Sequence, residues 1–72
     1  MKMFNVEGAA GRIKDLEMQR DRLLDELKNL DKKREKGEID EDMYKKERRK
    51  VERSIVEIMD RLAQMRFLAG ET

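Results

Sequence analysis

Seventy-two residues make at most one small domain, and 38% hydrophobic against 49% charged residues is the composition of a long amphipathic helix or coiled coil, not of a compact core. With neither cysteine nor histidine the chain has no disulfide and no thiolate, and it lacks the commonest general base and zinc ligand. Eighteen basic and seventeen acidic residues nearly cancel, so net charge directs the chain neither to nucleic acid nor to an anionic membrane. No apolar run approaches the ~20 residues of a transmembrane helix, and residues 1–11 lack the apolar centre of a signal peptide. A soluble cytoplasmic protein is therefore the expectation, and the starting Met favours a free-standing chain.

Residues 1–11 read as a short leader. Met3, Phe4 and Val6 are apolar, and Gly8 and Gly11 bracket Ala9 and Ala10, so the expectation is partial order: fraying, one more helical turn, or a fold over a hydrophobic end. From about 12 to 36 the apolar residues Ile13, Leu16, Leu23, Leu27 and Leu30 recur at alternating steps of three and four, with Arg20 and Arg34 in the same rhythm. This is the heptad seam of a helix packed against another.

Residues 37–40 break the pattern. Gly37 follows Lys32, Lys33, Arg34 and Lys36, cations that suit the negative end of a helix dipole, and glycine takes the left-handed conformation that closes a helix. Asp40 is placed to accept a bond from the first free N–H groups of a new helix, with Glu41 and Asp42 in its positive first turn. A link this short, centred on Ile39, joins only antiparallel neighbours. From about 41 to 69 the rhythm returns as Tyr44, Arg48, Val51, Ile55, Ile58, Leu62, Met65 and Ala69, followed by a tail at 70–72.

Folding about Ile39 pairs Leu27 with Val51, Leu23 with Ile55, Arg20 with Ile58, Leu16 with Leu62 and Ile13 with Met65. Each layer joins an a position to a d position, as an antiparallel coiled coil requires; a register one turn away is the alternative. The same alignment brings Lys33 near Glu47 and Asp31 near Lys45. The expected fold is all-α: an antiparallel two-helix hairpin, marginal by itself because two helices bury little.

Leu24, Val56, Met59 and Ala63 are apolar but lie outside the seams, on one flank. The opposite flank, with Arg12, Gln19, Glu26, Lys33, Glu47, Ser54 and Arg61, is polar apart from Leu68. The simplest use of an apolar flank is a second hairpin, giving a homodimeric four-helix bundle. The plainer alternative makes the four residues surface scatter or a cover for Phe4 and Phe67.

The chemically suggestive features have simpler readings beside them. Glu38, Asp40, Glu41 and Asp42 lack the glycine-centred loop and terminal glutamate of an EF-hand, so helix capping explains them and no metal or other cofactor is expected. Lys45, Lys46, Arg49 and Lys50 face the turn-end cations of the first helix and form a possible anion contact, diluted by acidic neighbours and without a recognition motif. Arg20 and Arg48 occupy seam positions, where long side chains run along the apolar surface and carry their charge outward to Glu17, Asp21, Glu47 or Glu52. Among the methionines, Met65 reads as core and Met59 as interface, with Met18 and Met43 available as adaptable contacts. Tyr44 is expected to cover Leu30 and Ile39 with its hydroxyl in water.

Leu27 and Leu30, then Lys36-Gly37-Glu38-Ile39-Asp40-Glu41-Asp42-Met43-Tyr44, then Arg48 and Val51 resemble the short helical-hairpin domain called SHOCT, over about residues 27–52. That pattern joins a leucine-bearing helix to a Gly-x-aliphatic-polar-acidic turn followed by an aromatic, a basic and an aliphatic residue. The resemblance implies an oligomerisation module and no catalysis. The residues by themselves lead to the same expectation: a non-catalytic scaffold or adaptor that self-associates and binds an unidentified protein. The alternatives are a small nucleic-acid-associated protein using the basic turn end, and peripheral membrane attachment through Met3, Phe4 and Val6.

Overall fold

The computed structural model describes residues 6–70, which form two helices, α1 (Val6–Glu35) and α2 (Glu41–Leu68), packed against each other along their length. The first helix begins at Val6 and not near Arg12, so it runs through Gly8 and Gly11. Ala9 explains the extension: it lies one seam step, four residues, before Ile13 in the heptad and is only 2% exposed, so the seam continues into that turn. Met3 and Phe4, as well as the tail at 71–72, lie outside the described residues.

The turn closes through backbone geometry. Gly37 has φ of 72°, in the left-handed region, and the Glu38 N–H reaches the Lys33 carbonyl at 2.8 Å while the Gly37 N–H reaches that of Arg34 at 3.1 Å. These two reversed bonds are the Schellman closure, which satisfies carbonyls left free by the last turn of α1. Asp40 occupies the N-cap position of α2 with extended backbone, and its carbonyl accepts the Tyr44 N–H at 2.8 Å. Its carboxylate makes no capping bond, contrary to the sequence expectation. The Asp40 side chain is exposed.

The molecule measures 56 × 20 × 15 Å. A cross-section of 20 × 15 Å is two helices side by side and one helix thick, so the seam is covered only where the helices meet. Ile13, Tyr44, Ile58 and Leu62 are buried, while Leu16, Leu23, Leu27, Leu30, Val51, Ile55 and Met65 are half-buried. The apolar cluster is concentrated at the open end of the hairpin, where Ile13, Ile58 and Leu62 pack with Leu16, Leu23, Met65 and Ala69. Among the described residues no helix is long and apolar enough to cross a membrane.

Candidate interaction surface

The turn end is organised around Tyr44, which is 4% exposed. Its hydroxyl donates to Asp31 and accepts from Arg48 Nη1 at 2.7 Å, so it is engaged by both helices and not left in water. Arg34 lies over its ring at 4.7 Å from the centroid, a cation–π geometry, and forms an ion pair with Glu41 at 3.0 Å. Arg48 in turn binds Glu52 at 3.1 Å, and its contacts with Tyr44 and then Glu52 hold its guanidinium above the already high ordinary value.

Two cross-helix pairs expected from the alignment do not form. Asp31 is engaged by Tyr44 and by Arg48 at 3.6 Å, leaving Lys45 on the outer surface, and Glu47 pairs along its own helix with Lys50 at 3.7 Å instead of with Lys33. The reach of arginine decides the first case: Arg48 starts at a seam position and its fork spans to the neighbouring helix. Arg20, the other seam arginine, turns outward to Asp21 at 3.0 Å.

One flank carries a layered pattern. Glu17 and Arg66 bridge the helices at 2.7 Å near the open end. One heptad further towards the turn, the step from Glu17 reaches Leu24 and the step from Arg66 reaches Met59, so the next layer on the same flank is apolar. Another heptad brings Asp31 and Glu52, two acids held together by Arg48. The apolar layer is exposed: Leu24 41%, Met59 48% and the adjoining Val56 66%, with Ala63 also exposed. The described surface thus has an apolar centre between two charged bridges.

The opposite flank holds open grooves lined by Arg12, Gln19, Arg61 and Gln64, by Arg22, Ser54 and Glu57, and by Glu26, Lys33 and Glu47. The outer face of α2 near the turn carries a shallow groove lined by Asp42, Lys45, Lys46, Arg49, Lys50 and Arg53. Arg53 is the member of this set that the sequence reading missed; its spacing of four from Arg49 was the available signal. The ion pair between Glu17 and Arg66 and the engagement of Asp31 by Tyr44 were also not anticipated. The membrane-attachment reading rests on Met3 and Phe4, outside the described residues, and on Val6, of which only the helical backbone is described.

Comparison of the chain with protein-family models, with curated proteins and with solved structures finds no match.

Proposed function

We propose that this chain is a non-catalytic self-association module in which the flank formed by Leu24, Val56, Met59 and Ala63 packs on the same flank of a second copy. The observation that carries the reading is the exposed apolar layer of Leu24 and Met59, set between the Glu17–Arg66 bridge and the Asp31–Arg48–Glu52 bridge. A hairpin one helix thick leaves most of its seam half-buried, and a second hairpin on this flank makes a two-layer bundle that removes more of that apolar surface from water. The contact is isologous, each copy presenting the same patch, so a closed dimer results and not a filament. The charged outer faces then remain available to other proteins, as in a scaffold or adaptor; the SHOCT resemblance implies the oligomerisation part of this reading.

The test is a variant carrying Leu24→Glu and Met59→Glu. Two carboxylates in the apolar layer oppose the facing pair across the two-fold axis and do not disturb the buried seam residues. The expected result is a monomer with reduced helicity by circular dichroism. A variant that keeps the mass of the unmodified chain and its thermal transition contradicts the reading.

A further inference from the structure

The five cations on the outer face of α2, Lys45, Lys46, Arg49, Lys50 and Arg53, line one groove across about 12 Å of helix. Their neighbours in sequence include Glu41, Glu47 and Glu52, and Asp31 lies across the hairpin, so sequence order alone suggests a neutral surface. The structure sorts these charges. Glu41 is held by Arg34, Glu52 and Asp31 by Arg48, and Glu47 meets Lys50, one of the groove's own cations, at 3.7 Å. Lys45, Lys46, Arg49 and Arg53 have no carboxylate within ion-pair distance among the described residues. Arg34 and Arg48 neutralise the acids next to the seam, and that leaves a cationic strip facing outward with Asp42 at one end.

We propose that this strip docks the phosphate backbone of a nucleic-acid duplex. Charge complementarity names a polyanion, and the geometry selects among polyanions. Lys45, Arg49 and Arg53 recur every four residues, about 6 Å apart along the axis, a linear row that tracks successive phosphates. Tyr44, the one aromatic residue near the strip among the described residues, is buried in the turn-end network, so the groove's described lining offers no platform on which unpaired bases could stack. Among its lining residues there is no apolar side chain to enter a bilayer. This site is independent of the apolar flank: a monomer carries one strip and a dimer carries two.

The test is fluorescence anisotropy of the full chain with a labelled duplex of about 20 base pairs, at salt concentrations of about 50 and 200 mM. With about four phosphates neutralised, affinity is expected to fall about a hundredfold across that range. A variant with Lys45→Gln, Lys46→Gln, Arg49→Gln, Lys50→Gln and Arg53→Gln is expected to lose more than tenfold at low salt. A control with Arg12→Gln, Lys14→Gln, Arg22→Gln, Lys28→Gln and Arg61→Gln, which removes the same charge elsewhere, is expected to change affinity less than twofold. Circular dichroism checks that both remain helical. Absence of binding at low salt, or equal loss in the two variants, overturns the proposal. So does binding to polyglutamate or to phosphatidylserine vesicles as tight as to duplex, which would assign the strip to an acidic protein or a lipid surface.

Discussion

At the open end of the hairpin, Ile13, Ile58 and Leu62 pack with Leu16, Leu23, Met65 and Ala69, whereas near the turn the buried side chain is Tyr44, fixed by Asp31, Arg48 and Arg34. The first arrangement is non-directional: it stabilises any alignment that keeps the apolar stripes together. The second is directional, because a hydroxyl that donates to α1 and accepts from α2 is satisfied at one alignment and not one turn away. Stability therefore comes mainly from the open end, and register from the turn end.

The largest expected effect that tests this division is at Leu62, the most buried side chain, 1% exposed. Leu62→Ala removes apolar contact and leaves a cavity, costing about 3 kcal/mol. In a two-helix molecule that loss should abolish the cooperative urea transition followed by circular dichroism. Next comes Gly37→Ala, which places a side chain at a φ of 72° and is expected to cost about 1–2 kcal/mol. Because nothing lies within 4 Å of the added carbon, the loss is conformational and not steric crowding, and it appears as a lower urea midpoint with the helices intact.

Tyr44→Phe keeps the ring and removes the hydroxyl, so it should cost about 1 kcal/mol. Its more informative effect is on register: a label pair on two introduced cysteines, one at an exposed site of each helix, should report a broadened distance distribution in this variant and a single distance in Leu62→Val. A Tyr44→Phe protein as destabilised as Leu62→Ala, or with its register unchanged, would break the contrast between the two ends. The smallest effect is expected for Glu17→Gln. It removes a bridge in which both side chains are 37% exposed, worth at most about 1 kcal/mol and less in high salt, measured as a salt-dependent shift in the urea midpoint.

Much of the hairpin is readable from residue order, because a three-four rhythm and a glycine after a basic last turn are local signals. Ile13, Leu16, Leu23 and Leu27 belong to one stripe whatever they pack against, and Gly37 closes the helix through its own backbone. Ala9 was harder to read: its methyl carries little hydrophobic signal, and the glycines on either side suggested a frayed leader, yet its small size suits a tight seam layer. The turn-end network was illegible for another reason. Whether Asp31 meets Lys45 or Arg48 depends on side-chain reach within about one helical turn, which periodicity does not resolve. Of the proposed interaction surface, Leu24, Val56, Met59 and Ala63 could be picked out as apolar residues outside the seam. The charged bridges that frame them required the three-dimensional arrangement.

The most direct test of self-association through the apolar flank is the mass of the unmodified chain by light scattering after size exclusion, across a hundredfold range of concentration. Twice the chain mass at the upper end, falling towards the single-chain mass on dilution or constant throughout, is the predicted result. A single-chain mass at every concentration, with the helices still formed, would contradict it and leave the Leu24–Met59 flank without a second copy to cover it.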